Sequence, residues 1–226
     1  MQLKHVLIAV LTMTTMSAGH AGLIVSESAD AGELPGAAVL TAAAPELDAI
    51  RGSLTGSGVD QADLFGIRLT AGQTFSASMT GSSLAYNSFD MGLFLFDSGG
   101  FGLVANDDSD SSPPQSSIQF TPSVTGVYYL AIAGIGYTPV SAAGAIFPAQ
   151  MFGSTAEFGP TGPGGASALA GWEGTTSEGD AYEILLTGAQ GWGEVTAVVS
   201  EPGTFLLTGL ALSLVGLGRR RGSRKV

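Results

Sequence analysis

The segment FGIRLTAGQ, residues 65–73, gives the clearest indication of the architecture of this 226-residue chain. Phe65, Ile67 and Leu69 occupy every second position, with glycine, arginine and threonine at the positions between and after them. This alternation is typical of a β-strand that buries one face and exposes the other. Because Ala-Gly-Gln is a common turn sequence, the segment predicts a half-buried strand followed by a reversal of the chain.

Five further segments also predict strands. Three of them alternate like the first, and two are apolar on both faces, as expected for strands in the centre of a sandwich. The alternating segments are 75–79, 118–120 and 182–186, and the two-sided segments are 91–96 and 127–132. Short strands with glycine-rich turns and no long helical period predict an all-β fold with a single β-sandwich.

The first 21 residues have the pattern of a secretory signal peptide. Lys4 supplies a positive charge, residues 6–16 are apolar, and small residues precede Ala21. This order predicts a signal helix that signal peptidase removes by cutting after Ala21.

The last 27 residues have three parts: a short acidic motif, an apolar run and a basic cluster. They are Ser200-Glu201-Pro202, residues 204–218, and Arg219, Arg220 and Arg221 followed by Arg224 and Lys225. Fifteen helical residues rise roughly 22 Å, which is short of the roughly 30 Å hydrocarbon core of a bilayer. The basic cluster would keep the carboxyl terminus in the cytoplasm. A permanent single-span anchor remains the alternative to a removable tail.

This three-part tail resembles the PEP-CTERM protein-sorting signal of Gram-negative envelope proteins. The first motif position is usually proline in that family and is Ser200 here. The resemblance implies a transmembrane sorting helix that holds the precursor transiently in the inner membrane. It also implies removal of the tail by an exosortase-like transpeptidase, a final location at the cell surface or outside the cell, and an association with exopolysaccharide and biofilm.

The composition between the two ends excludes several kinds of active site. From Gly22 to Ser200 the chain has two arginines and 18 acidic residues, a net charge of 2 − 18 = −16, and no Lys, His or Cys. Catalytic triads, Cys-His pairs, Schiff bases and typical zinc sites need those missing side chains. We therefore expect no enzyme, with an acid-pair hydrolase as the remaining enzymatic alternative. The negative charge also predicts that the chain does not bind nucleic acid.

The strand segments carry a second resemblance, to bacterial pre-peptidase C-terminal (PPC) domains. Five short sequences occur in the order seen in that family: DQADLF (60–65), AGQT (71–74), FLFD (94–97), NDD (106–108) and TGVYYL (125–130). The likeness covers Ile50 to Ala133, and residues 179–188 are predicted to form the last strand. It implies a small, jelly-roll-like β-sandwich of the type found in secreted enzymes and surface proteins.

These features together predict the domain organisation. Residues 138–180 include 13 glycines and prolines in 43 positions, which is typical of an irregular insertion. Its large apolar side chains either form a functional loop or pack the insertion onto the sandwich, and we expect packing. The predicted parts are a signal peptide (1–21), an amino-terminal arm or edge strand (22–49), the sandwich with its insertion (50–190), a linker (191–199) and the sorting signal (200–226).

An acidic group is the candidate metal site. Asn106, Asp107, Asp108 and Asp110 follow a predicted strand pair, with Asp97 one hairpin arm away. Closely spaced oxygen ligands favour Ca²⁺ outside a cell. The alternative is a solvated turn before Pro113.

Two tryptophans are candidate ligand-binding residues. Trp172 and Trp192 lie in the sequences GWEG and GWGE, and a tryptophan beside a carboxylate is typical of sugar-binding surfaces. The alternative is packing at the edge of the sandwich.

The sequence as a whole predicts a non-catalytic, exported surface or matrix protein, and the PEP-CTERM resemblance implies that it associates with extracellular polysaccharide. The alternative is a calcium-dependent carbohydrate- or protein-binding adhesion module.

Overall fold

The computed structural model describes residues 22–56, 58–79, 89–111, 114–177 and 179–193. Internal contacts divide the chain into two units, Met1–Glu194 and Val195–Val226, and all described residues belong to the first. The predicted signal peptide and the predicted sorting signal both lie outside the described residues.

The described residues contain sixteen strands and one 3₁₀ turn at Ala149–Met151, with no α-helix among them. No helix in this part of the chain is long and apolar enough to cross a membrane. The strands are β1 (Leu23–Ser26), β2 (Val39–Leu40), β3 (Leu47–Ser53), β4 (Ala62–Leu69), β5 (Phe75–Ser78), β6 (Met91–Asp97), β7 (Gly102–Asn106), β8 (Asp110–Ser111), β9 (Pro114–Gln115), β10 (Ser117–Phe120), β11 (Gly126–Gly134), β12 (Tyr137–Ser141), β13 (Gly144–Ala145), β14 (Gly171–Gly174), β15 (Ala181–Thr187) and β16 (Ala189–Gly191).

Two large sheets form the sandwich. Sheet A has five strands in the order β1-β3-β15-β5-β10, and sheet B has six, in the order β16-β4-β11-β6-β7 with β2 beside β4. Two small sheets, β13-β12-β14 and β8-β9, complete the described fold. The predicted all-β architecture is confirmed.

Alternating apolar residues build the main core between the two sheets. Phe65 and Ile67 of β4 are fully buried and pack with Ile50 of β3 and Tyr182 and Ile184 of β15. The ring of Phe65 meets that of Tyr182 edge-on, with centroids 6.5 Å apart. Burying each large apolar side chain contributes about 1.5–3 kcal/mol, so this core is the main source of stability.

A second core covers the outer face of sheet B. Leu64, Phe94 and Phe96 on that face pack against Phe147 and Met151, which belong to the insertion. The insertion therefore packs onto the sandwich, and β6 and β11 are buried on both faces as predicted. The prediction of a half-buried β4 was wrong, because its outer face is covered as well.

The segment before the predicted sandwich is part of its sheets. Strand β1 pairs in parallel with β3 and forms an edge of sheet A. Strand β2 pairs in parallel with β4 in sheet B. The chain from Gly22 onward thus contributes to both sheets and brings its acidic residues against the sandwich.

Candidate functional site

The acidic residues of interest meet at one end of sheet B. Ala62 at the start of β4 pairs with Ala133 of β11, and Gly134 pairs with Met91 at the start of β6. Leu93 of β6 pairs with Asn106, the last residue of β7. The residues that precede β4 and β6 and those that follow β7 therefore share this end, which we call the acidic end.

Two groups of carboxylates occupy the acidic end. The amino-terminal cluster consists of Glu27, Asp30, Asp60 and Asp63, and the hairpin cluster consists of Asp90, Asp107 and Asp108. In the first, Glu27, Asp30 and Asp63 each place an oxygen within 4.8 Å of the other two. In the second, Asp90, Asp107 and Asp108 likewise each place an oxygen within 4.8 Å of the other two.

Asp63 is the central residue of the amino-terminal cluster. It is fully buried, and its Oδ2 accepts a hydrogen bond of 2.6 Å from the hydroxyl of Tyr182. Its Oδ1 has no hydrogen-bond partner within the described part of the chain. Burial raises the pKa of Asp63 to about 7, against the opposing effect of the Tyr182 hydrogen bond. A buried carboxylate with one unsatisfied oxygen is costly unless a cation compensates it.

The other members of this cluster frame an open cavity. Glu27, Asp30, Ser53 and Asp60 line a volume of about 280 Å³. Glu27 is held by two backbone amides, with Oε1 accepting from Ala31 at 2.9 Å and Oε2 from Ser53 at 3.0 Å. Burial and then the charges of Asp30 and Glu27 raise the pKa of Asp60 to about 6. The cavity therefore presents oxygen ligands at an entry open to solvent.

Neither basic side chain of the sandwich neutralises this end. Arg51 and Arg68 are the only Lys or Arg residues between Gly22 and Ser200. Arg51 forms a salt bridge with Glu183, in which Nη2 lies 2.6 Å from Oε1. Arg68 pairs with Val127 near the far end of β4, six residues from Ala62. At a rise of about 3.3 Å per residue, this is about 20 Å away.

The hairpin cluster repeats the same features with different residues. Asp107 is fully buried; its Oδ2 accepts from the amide of Gly153 at 2.9 Å, and its Oδ1 has no hydrogen-bond partner among described residues. Asp108 is 8 % exposed, and its Oδ1 also has no described partner. Burial, reinforced by the charge of Asp108, raises the pKa of Asp107 to about 6. Burial also raises the pKa of Asp108.

The structure brings together only part of the predicted metal site. Asp97 lies at the other end of β6, where its Oδ1 accepts from the amides of Gly99 and Phe101 at 2.8 and 3.0 Å. It is therefore a turn residue and is separated from Asp107 and Asp108. Asp110 begins β8, and its side chain lies outside what the structure describes.

Asn106 supports the hairpin cluster through its amide. Its Nδ2 donates to the carbonyls of Asp108 at 2.8 Å and Ala156 at 3.0 Å, and its Oδ1 accepts from the amide of Ser117 at 2.9 Å. Both amide hydrogens and one lone pair of the Oδ1 are engaged, so Asn106 positions the loop.

Both tryptophans make packing contacts. Trp172 stacks on Tyr137 with ring centroids 5.5 Å apart, and its Nε1 donates to the carbonyl of Glu33 at 2.8 Å. Trp192 packs against Tyr129 at 5.5 Å, next to Gly66, where a Cβ would clash with the indole. Each tryptophan is only partly buried. The sorting-motif residues Ser200, Glu201, Pro202, Arg219, Arg220 and Arg221 lie outside the described residues.

Sequence reasoning missed five of the clustered acids: Glu27, Asp30, Asp60, Asp63 and Asp90. A signal was present for Asp63, which is in phase with Phe65, Ile67 and Leu69 and so lies on the core face of β4. An acid on the buried face of a strand is costly and therefore points to a specific role.

Comparison with known proteins gives one family match. Residues 61–134, about a third of the chain, match the sequence model of the bacterial pre-peptidase C-terminal domain. This match confirms the PPC resemblance over β4 to β11. Domains of this family occur in secreted proteins and are generally non-catalytic, which is compatible with an exported, non-catalytic module.

Similarity beyond this family match is limited. No curated protein matches the chain. A crystal structure of the pre-peptidase C-terminal domain of a collagenase from Bacillus anthracis is similar, with 11 % sequence identity and a TM-score of 0.34. The matched region covers 75 % of this chain and 99 % of that one.

Proposed function

We propose that this chain is an exported, non-catalytic surface module whose sandwich binds Ca²⁺ at the amino-terminal cluster. The observation that carries the proposal is the fully buried carboxylate of Asp63, which has an unpartnered oxygen and converges with Glu27 and Asp30. A divalent cation would offset the repulsion among these carboxylates and the cost of burying Asp63.

The chemistry of the ligands favours Ca²⁺ over other metal ions. Only oxygen ligands are available, because the chain from Gly22 to Ser200 has no His and no Cys. Hard cations prefer such ligands, and Ca²⁺ accepts irregular sets of carboxylates and carbonyls more readily than Mg²⁺ does. The cavity beside Glu27, Asp30 and Asp60 leaves room for water to complete the coordination.

The same residues do not suit a hydrolase. Asp60 and Asp63, with pKa values of about 6 and about 7, would be the natural acid pair of the amino-terminal cluster. Asp63 is fully buried on the core face of β4, and it is not among the residues that line the cavity. A general acid or base must contact the group with which it exchanges a proton, so this geometry supports a non-catalytic role.

Export and sorting form the second part of the proposal. The signal-peptide pattern of residues 1–21 and the three-part tail of residues 200–226 support delivery across the inner membrane followed by exosortase-like processing. The PPC match supports a secreted module. At the cell surface, a calcium-loaded sandwich with partly exposed tryptophans would serve in adhesion to exopolysaccharide or to another matrix protein.

The processing proposal is tested by the intact mass of the protein recovered from its native cells. We expect a chain that begins at Gly22 and lacks the arginine cluster. Recovery of the full 226 residues from inside the cell would contradict export.

The calcium proposal is tested by titration calorimetry of the purified full chain. We expect the substitutions Asp63→Asn and Asp30→Asn each to remove the binding event assigned to the amino-terminal cluster. The exposed residue Asp48 offers a matched control, because Asp48→Asn removes the same charge outside the cluster. An Asp63→Asn isotherm identical to that of the wild type would contradict the proposed site.

A further inference from the structure

We propose that the hairpin cluster is a second Ca²⁺ site, one that fastens the insertion to the edge of sheet B. It uses Asp90, Asp107 and Asp108, none of which belongs to the amino-terminal cluster, and it does not depend on that site. The insertion contributes side chains to the second core, so this cation would affect how stably the insertion packs there.

The hairpin geometry creates the site. Strand β6 begins immediately after Asp90, and β7 ends immediately before Asp107. Because Leu93 pairs with Asn106, the residues just outside this antiparallel pair lie beside each other. The three side chains consequently place carboxylate oxygens within 4.8 Å of one another.

The burial of these acids points to a ligand. Asp107 is fully buried and Asp108 is 8 % exposed, and one oxygen of each has no hydrogen-bond partner within the described residues. Among the described residues, the carboxylate of Asp107 accepts a hydrogen bond from the Gly153 amide, which stabilises its charged form but leaves its second oxygen unsatisfied. Arg68 of sheet B pairs with Val127, near the opposite end of β4. A bound divalent cation is the compensation that the described protein groups do not provide.

The backbone around the cluster is held in place before any cation binds. Asn106 fixes the carbonyl of Asp108, and the hydroxyl of Ser116 contacts the carbonyls of both Met91 and Asp107. Ser116 is fully buried. Such supporting contacts orient ligands and reduce the conformational entropy lost on binding.

The same loop holds the insertion. Asp107 accepts from the amide of Gly153, whose φ of 71° is left-handed and so favours glycine. Asn106 donates to Ala156, and Ala105 exchanges two backbone hydrogen bonds with Phe158, at 2.9 and 2.8 Å. Residues 153–158 thus lie along β7 and cover its edge.

A cation at the cluster would strengthen this attachment through Asp107. The carboxylate of Asp107 accepts from the Gly153 amide through Oδ2, and its Oδ1 is the oxygen left for a cation. A bound cation would fix this carboxylate in place and so hold it against the insertion. Loss of the cation would loosen residues 153–158 first, because these residues contact the cluster directly.

The test combines calcium titration calorimetry with hydrogen exchange on the purified full chain. We expect two Ca²⁺ ions per wild-type chain, with one lost in Asp63→Asn and the other lost in Asp108→Asn. At ten times the dissociation constant, Ca²⁺ should slow amide exchange in residues 152–158 about tenfold. This protection should persist in Asp63→Asn and disappear in Asp108→Asn.

Two variants that each replace an aspartate by asparagine serve as the test and its control. Asp108→Asn preserves size and leaves the Gly153 hydrogen bond to Asp107 intact, and circular dichroism at the Ca²⁺-free baseline checks that it folds. Asp97→Asn, at the opposite end of β6, should leave both binding events and the protection unchanged. Full Ca²⁺ stoichiometry in Asp108→Asn, or Ca²⁺ binding without protection of residues 152–158, would overturn the proposal.

Discussion

The two ends of sheet B carry aspartates in contrasting environments. At one end, Asp97 sits in a tight turn, where its carboxylate accepts two backbone amides. At the acidic end, Asp63 and Asp107 are fully buried, and each keeps an oxygen without a described hydrogen-bond partner. The local density of acids in the sequence does not separate these cases. Burial and a carboxylate oxygen without a donor among the described residues do separate them, and they identify the end at which a cation would bind.

The largest expected effect is that of Ca²⁺ on stability, because it acts only on the acidic end. A ligand at one hundred times its dissociation constant contributes about 2.7 kcal/mol per site, so two sites together contribute about 5 kcal/mol. We expect the free energy of unfolding of the full chain, measured by urea denaturation, to fall by about this amount after chelation with EGTA. Identical unfolding curves with Ca²⁺ and with EGTA would contradict the proposal that the acidic end binds Ca²⁺.

The stability of the calcium-free protein should depend on pH through the buried carboxylates of the acidic end. The pKa of Asp63 is about 7 in the folded chain against an ordinary value of 3.8. Between pH 3.8 and pH 7 the folded state therefore binds more protons than the unfolded state. Stability therefore falls as pH rises from about 4 to about 7, by up to about 1.4 kcal/mol per pH unit from Asp63. Asp107, at about 6, contributes in the same direction.

Urea denaturation in EGTA across this pH range checks whether the free energy of unfolding falls as pH rises. Asp63→Asn should flatten the profile, and saturating Ca²⁺ should flatten it in the wild-type chain. A calcium-free protein that becomes more stable from pH 4 to pH 7 would contradict the burial of these carboxylates.

Removing the Tyr182 hydroxyl should have a smaller effect, confined to the amino-terminal cluster. Tyr182→Phe keeps the ring that packs on Phe65 and deletes the 2.6 Å hydrogen bond to Asp63. We expect a loss of about 1–3 kcal/mol in calcium-free unfolding free energy at pH 8, because a buried carboxylate loses its donor. The loss should shrink at pH 5, where Asp63 is protonated in the folded chain. An equal loss at both pH values would point to packing alone.

The smallest effect belongs to the other end of the sheet. Asp97→Asn keeps an oxygen acceptor for the amides of Gly99 and Phe101, so we expect a change of less than about 1 kcal/mol in unfolding free energy. Its Ca²⁺ affinity, measured by calorimetry, should equal that of the wild type. A weakened affinity would return Asp97 to the metal site.

Sequence alone predicted the sheets well, because their residues have a simple period. Phe65, Ile67 and Leu69 alternate, and residues 91–96 are apolar throughout, which correctly indicated a strand buried on both faces. The outer face of β4 was not predicted, because Ala62, Leu64 and Gly66 do not by themselves show that the distant insertion covers them.

The candidate site was harder to predict, because most of its ligands are far apart in the sequence. Asp107 and Asp108 are adjacent and were identified, whereas Asp90 joins them only through the register of β6 and β7. Glu27 reaches Asp63 because β1 lies beside β3, a parallel pairing that no local pattern encodes. Short-range patterns locate strands, and strand pairing then determines which acids meet.

The most direct test is a crystal structure of the protein grown with Ca²⁺, with anomalous scattering used to identify the ion. We expect an anomalous peak among Glu27, Asp30 and Asp63, with calcium–oxygen distances of about 2.3–2.6 Å. A map that shows only water beside Asp63 at saturating Ca²⁺ would contradict it.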